Sequence, residues 1–229
     1  MVMDVVRETW RLFLARFWRT LIVVALLLAP LELALALIDP EASRGSAGWW
    51  LWVAFSSSVT LVAFPWIIGA LVHDVAAGDH TPTEPYAQTR DRLPDLLISA
   101  VVTTVGILLG LIAFLVPGLI LMARWALIVP LIVLERVHWR AALTRSNQLV
   151  QGRTAAVLAI FLLLTLVGIV LVAIPVAVGY FLLDGVIGAW LATMAINTVF
   201  IAFYAFAPFV LYRKLAGERL QSEPRCGVV

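Results

Sequence analysis

Cysteine and charge are both scarce in this sequence. Its 229 residues include one cysteine, Cys226, so no intramolecular disulfide can form. Only 13% of the residues are charged, against about 25% in soluble domains, which excludes an ordinary water-soluble domain. The net charge is +2, and the basic residues fall in short clusters beside apolar runs. We therefore predict no nucleic-acid partner.

Signatures of common catalytic sites are also missing. The sequence contains no GxSxG, HExxH, P-loop or Gly-rich dinucleotide motif, and no facing carboxylates within its apolar runs. One polar loop does collect potential metal ligands, but their spacing matches no recognised metal site: His73, Asp74, Asp79, His80 and Glu84. We therefore predict no catalytic residue, no metal and no cofactor, and a lipid-modifying enzyme is the least favoured interpretation.

Long apolar runs are what the sequence has in abundance. Hydrophobic residues make up 63% of the chain, where about 45–50% is typical. The run 96–134 would be about 58 Å long as one helix, twice the roughly 30 Å of a hydrocarbon core, so it must fold back. Pro117 and Gly118 are the predicted hinge. The predicted fold class is all-α, a polytopic transmembrane bundle whose six spans form three in–out hairpins.

We predict a single membrane domain over residues 1–229. A surface helix covers 3–18, and a basic tail covers 212–229. The six spans lie at about residues 19–38, 49–72, 96–116, 118–134, 154–178 and 186–211. The first run is longer than the about 7–15-residue core of a signal peptide, so we predict that it is retained as a span.

Two amphipathic segments precede spans 1 and 5. In the first, the predicted apolar face consists of Met3, Val6, Trp10, Phe13 and Phe17. In the second, at 138–150, it consists of Trp139, Ala142, Leu143, Ser146 and Val150. We predict that both helices lie on the inner membrane surface.

The basic residues fall on one side of the six-span arrangement. Fourteen of the 16 flank the inner ends of the predicted spans, and the exceptions are Arg44 and Arg124. Models with five or seven spans would scatter these charges over both sides. The positive-inside rule therefore predicts a multi-pass protein of the cell (cytoplasmic) membrane with both termini in the cytoplasm.

Arg124 is the most informative single residue, because a charge within a span costs at least about 2.5 kcal/mol. One hypothesis is that it faces the bundle interior, pairs with Glu32 or Asp184, and holds an anionic headgroup or substrate. The other is that its side chain extends to the interface or makes a structural ion pair. Asn197 lies on a small-residue face of span 6, which favours helix packing, with a polar path as the alternative.

A basic cluster follows span 4 at the predicted inner surface: Glu135, Arg136, Arg140, Arg145 and Arg153. Glu135 ends a helix, where a negative charge opposes the helix dipole, so we predict that it pairs with Arg140, Arg145 or Arg153. Basic clusters at an interface gain about 1 kcal/mol per residue from anionic lipids. The predicted partners are therefore membrane lipids, with anionic headgroups among them.

Residues 123–152 resemble the membrane domain found with bacterial glycerophosphoryl diester phosphodiesterases. The shared pattern is a span with Arg and Pro that ends in Glu, then Ala-Leu-x-Arg-Ser-x-x-Leu-Val-x-Gly. In this sequence its residues are Arg124, Pro130, Glu135, Ala142, Leu143, Arg145, Ser146, Leu149, Val150 and Gly152. Asn147 and Arg153 depart from the aromatic residues that family members often carry there. The catalytic barrel of the phosphodiesterases is absent from these residues, so the resemblance implies a non-catalytic membrane module.

Two functions remain open from the sequence. The first is a module that organises or assists lipid or protein partners of the envelope, with a membrane protein or a second copy of the chain among those partners. The second is a small transporter that uses Arg124, Asn197 and the serines of span 2, which are Ser56, Ser57 and Ser58.

Overall fold

A computed structural model of the chain describes residues 2–38, 46–78, 81, 83–182 and 186–222. Over these residues the chain is helical, and they include no β-strand. Ten α-helices follow one another: α1 Val2–Ala15, α2 Phe17–Ile38, α3 Ala47–Ala77, α4 Glu84–Thr89, α5 Leu93–Ala113, α6 Leu115–Arg124, α7 Ile128–Leu134, α8 Trp139–Val150, α9 Thr154–Leu182 and α10 Val186–Ser222. A single 3₁₀ turn, Arg90–Arg92, connects α4 to α5.

Six stretches of this helical chain are long and apolar enough to cross a membrane. They are Phe17–Ala34, Ala47–Ala77, Glu84–Ala113, Leu115–Leu134, Thr154–Ala173 and Trp190–Gly217. The predicted all-α class and the number of spans are confirmed. The in–out order of the hairpins and the surface position of the two amphipathic helices stay predictions.

Helix α10 forms the centre of the bundle. Its apolar side chains Ile201, Phe206 and Leu211 are fully buried, and it packs against α9, α2, α3 and α1. By contrast, only 11% of the most apolar stretch of α5 is buried, compared with 67% for α10. Helix α5 therefore lies at the edge of the bundle, where it offers an apolar surface to lipid.

The first helix packs on the bundle through a row of residues that overlaps the predicted apolar face. Phe13 lies on the Phe203 ring of α10 with centroids 5.2 Å apart, and it is buried as expected. Met3, however, is 66% exposed, and the buried positions are Val5, Thr9 and Phe13, four residues apart. Val6, Trp10 and Phe17 of the predicted apolar face pack partly against the same core. The position of that face at the membrane surface stays a prediction.

The turn between α5 and α6 lies three residues before the predicted hinge. Phe114 adopts an extended backbone that separates the helices, and Pro117 lies in the first turn of α6, where a missing N–H costs nothing. Gly118 instead serves close packing: a Cβ on it would lie 2.7 Å from the backbone N of Leu111. A Cβ on Gly110 would in turn lie 2.9 Å from the Cα of Gly118. The two glycines therefore let α5 and α6 touch.

Candidate functional site

Asp74, in the last turn of α3, binds two arginines from the start of the chain. The Arg19 guanidinium donates to both carboxylate oxygens, from Nε at 2.9 Å and from Nη2 at 2.7 Å. Arg16 Nη1 lies 3.5 Å from the carboxylate and donates to the Asp74 carbonyl oxygen at 3.1 Å. The Asp74 side chain is 3% exposed, so this ion pair is largely shielded from water. We call Arg16, Arg19 and Asp74 the Asp74 cluster.

Glu135, just after α7, binds partners from two other segments. Arg145 Nε of α8 lies 2.8 Å from one carboxylate oxygen, and Tyr212 Oη of α10 donates to the other at 2.8 Å. Of the three arginines expected to pair with Glu135, Arg145 forms this ion pair. Arg140 instead lies over the Trp139 ring, 5.0 Å from its centroid.

Further contacts join the segments that carry the described basic residues beside the spans. Asp95 lies 3.3 Å from the His138 imidazole, and Glu8 lies 3.9 Å from Lys214 Nζ. Together with the Asp74 cluster and Glu135, these contacts connect the α1–α2 junction, the α3–α5 connection, the α7–α8 loop and the end of α10. These four segments therefore lie at one end of the bundle, which we call the charged end.

Arg124 ends α6, and its side chain is exposed. Among the residues that the structure describes, its guanidinium makes no ion pair. The ion pair with Glu32 that one hypothesis offered is not formed, and Glu32 accepts a hydrogen bond from Asn197 Nδ2 at 2.9 Å. Asp184, the other predicted partner, lies outside the described residues.

The backbone of Arg124 has a function of its own in the fold. Between α6 and α7 the chain forms a turn at residues 125–127, and the regular bonds of the helix are interrupted. The Ser146 hydroxyl of α8 donates to the Arg124 carbonyl oxygen at 2.7 Å and accepts the Leu127 N–H at 3.2 Å. Ser146 thereby satisfies both polar groups at the break, which would otherwise be costly to bury.

The face of α8 that carries Ser146 agrees with the sequence pattern. Ala142, Ser146 and Val150 are fully buried, while Arg140, Thr144 and Asn147 on the other side are exposed. The sequence placed Ser146 on the buried face without revealing its hydrogen bonds. The available signal for these hydrogen bonds was a hydroxyl on an otherwise apolar helix face, because a buried hydroxyl needs a hydrogen-bond partner.

Arg136, next to Glu135, has an unusual backbone conformation. Its φ is +53°, the left-handed region that favours glycine, and it is exposed. Its guanidinium forms no ion pair within the described part of the chain. The left-handed backbone would favour glycine over arginine at this position, and no described residue pairs with the Arg136 side chain.

A family model describes most of the region that contains these residues. The membrane domain of glycerophosphoryl diester phosphodiesterase matches residues 90–213, which is more than half of the 229-residue chain. The chain belongs to this family. No curated protein and no solved structure matches the chain.

The family region and the charged end overlap only in part. The matched residues include Arg124, Glu135 and Ser146, so the resemblance predicted from residues 123–152 is confirmed. The Asp74 cluster lies outside the matched residues. Within this membrane-domain family member, the Glu135 and Ser146 contacts therefore belong to the shared region, whereas the Asp74 cluster belongs to the preceding part of the chain.

Proposed function

We propose that the chain is a non-catalytic membrane module of the cell membrane that gathers anionic lipids, and through them envelope partners, at its cytoplasmic end. The observation that carries this proposal is a set of arginines at the charged end that reach solvent without a carboxylate partner. Arg90 and Arg136 are exposed, Arg92 is half-buried, and none of the three makes an ion pair with a described residue.

The surface next to these arginines supports the same proposal. Helix α5 carries exposed apolar side chains at Val101, Val105, Leu108, Leu109 and Ile112. An apolar helix face with guanidiniums at one end matches the two layers of a bilayer, its acyl chains and its phosphate headgroups. Each arginine near such a surface contributes about 1 kcal/mol of attraction to anionic lipid.

The hydrogen bonds of Ser58 and Asn197 do not favour the transporter hypothesis. Ser58 of α3 donates to the Ala54 carbonyl oxygen of its own helix at 2.7 Å, and Asn197 donates to Glu32. Within the described residues, no hydrogen bond or ion pair connects Arg124 to Asn197. The module is therefore the function that we propose.

The test is the lipid composition that accompanies the purified protein. The chain is extracted in a mild detergent from a membrane of known composition, and its bound lipids are measured by mass spectrometry. We expect anionic phospholipids to be enriched over the membrane average, and replacing Arg90 by Gln to reduce that enrichment. Bound lipids that match the bulk membrane would contradict the proposal.

The proposed orientation has a separate test in the single cysteine. Because Cys226 follows the last span, a membrane-impermeant thiol reagent added to intact cells should leave it unlabelled. The same reagent should label it after the cells are opened. Labelling of intact cells would place the charged end outside and remove the cytoplasmic assignment.

A further inference from the structure

A polar cavity of about 500 Å³ opens at the charged end, and neither the ion pairs nor the helix contacts described above account for it. Its walls come from the last turn of α3, from α4 and the 3₁₀ turn, and from the end of α7. The polar side chains that line it are His73, Gln88, Thr89, Asp91, Arg92 and Arg136. Its volume falls within the roughly 300–1,000 Å³ of small-molecule sites.

The charge of the cavity is positive. Arg92 and Arg136 contribute two positive charges and Asp91 one negative charge, which leaves an excess of one positive charge among these three residues. Neither guanidinium forms an ion pair or a side-chain hydrogen bond with a described residue, and neither does Asp91. Two guanidiniums that face one cavity therefore hold hydrogen-bond donors for a ligand, in the fork geometry that suits phosphate.

The backbone at Arg136 strengthens the argument for a ligand. A left-handed residue between α7 and α8 would be accommodated most readily by glycine, and arginine adopts φ +53° only at a cost. Backbone conformations of this kind concentrate at binding sites. The conformation places an arginine on the cavity wall at a position where the fold itself has no need of one.

We propose that this cavity binds a phosphate ester, with Arg92 and Arg136 as the groups that contact the phosphate. The volume leaves room for a phosphate together with a small organic group such as glycerol. Either a phospholipid headgroup that reaches in from the membrane or a soluble phosphate ester has this chemistry. A phospholipid headgroup as the ligand rests on the proposed function, whereas a soluble phosphate ester as the ligand is independent of it.

The experiment compares two double variants of the full-length chain that remove the same charge. Arg92→Gln with Arg136→Gln changes the cavity, while Arg11→Gln with Arg140→Gln changes two exposed arginines that do not line it. One arm titrates glycerol 3-phosphate into the detergent-solubilised protein and measures heat. The other arm measures phosphatidylglycerol retention by native mass spectrometry in nanodiscs of equal parts phosphatidylcholine and phosphatidylglycerol.

We expect the wild type to bind in at least one arm, and the cavity variant to bind about tenfold or more weakly there, because it loses both charge-assisted contacts to the phosphate. The control variant should stay within about threefold of the wild type in the same arm. Binding to glycerol 3-phosphate alone would identify a soluble ligand, and retention of phosphatidylglycerol alone a lipid headgroup.

Two outcomes would overturn the cavity site. One is no binding in either arm, and the other is an equal loss in both double variants, which would show a general charge effect. An equal loss in both double variants would leave the proposed lipid-gathering function intact. That function is contradicted separately, if the wild type shows no enrichment of anionic lipid. If Arg136→Gln prevents folding, Arg136→Gly removes the same charge while relieving the backbone, and it takes its place.

Discussion

Arg19 and Arg136 lie at the same end of the molecule, and their surroundings are opposite. Arg19 meets a carboxylate that is 3% exposed and donates to both of its oxygens, whereas Arg136 is exposed and has no ion pair with any described residue. The positive-inside rule counts both arginines alike. What separates them is a buried acid within reach. Arginines that have one hold helices together, and those that lack one remain available to a ligand.

The largest expected effect comes from Asp74→Asn, which keeps the side-chain shape and removes the charge that Arg16 and Arg19 share. Breaking a buried ion pair by removing one partner costs about 3–5 kcal/mol, and we expect about 3 because the guanidiniums are about a quarter exposed. Denaturant unfolding in mixed micelles measures the loss.

Asp91→Asn is the matched control for that substitution. Asp91 is exposed and makes no ion pair with a described residue. The substitution should therefore change the free energy of unfolding of the protein by less than about 0.5 kcal/mol. Equal effects of the two substitutions would show that the Asp74 cluster contributes no more than general electrostatics.

An intermediate effect is expected for Ser146→Ala in α8. The substitution leaves the Arg124 carbonyl and the buried Leu127 N–H without the serine hydroxyl, and an unsatisfied buried group costs about 1–3 kcal/mol. We expect a loss of about 2 kcal/mol in unfolding free energy.

Thr144→Ala, on the exposed face of the same helix, serves as the comparison. Its hydroxyl donates only to the Arg140 carbonyl oxygen at 3.2 Å, in solvent, so we expect little change in stability. If Ser146→Ala were as mild as Thr144→Ala, another group would have to satisfy the break between α6 and α7.

The sequence was sufficient for the helical class, the number of spans and the buried face of α8, because these depend on local patterns of apolar residues. It also predicted that the basic residues beside the spans lie on one side, and the structure brings the described ones to one end of the bundle. Each of these features follows from the composition of a span or from helical periodicity.

The sequence was not sufficient for the contacts that join distant segments. Asp74 lies in a stretch read as an aqueous loop, and its partner Arg19 is 55 positions away, so no periodicity relates the two residues. The same limit applies to Arg124, for which one hypothesis offered Glu32 as a partner, whereas packing of α2 on α10 brings Glu32 to Asn197. The turn at Phe114 shifted because Gly118 is required for helix contact rather than for the turn.

The smallest expected effect is a gain in stability, and it tests Arg136, which has no ion pair with a described residue. Arg136→Gly relieves a left-handed arginine, so the free energy of unfolding should rise by about 1 kcal/mol. Arg140→Gly, in the first turn of α8, should instead lower it by up to about 1 kcal/mol. A loss of stability in Arg136→Gly would mean that the Arg136 side chain supports the fold, and the contrast with Arg19 would then fail.

The most direct test measures stability and lipid retention on the same nanodisc samples for two variants. Asp74→Asn should lower the thermal midpoint while each folded chain keeps its phosphatidylglycerol, as counted by native mass spectrometry. Arg92→Gln with Arg136→Gln should keep the midpoint and lose the lipid. If the folded Asp74→Asn chain loses its lipid as well, or the double variant retains it, the division between paired and unpaired arginines is wrong.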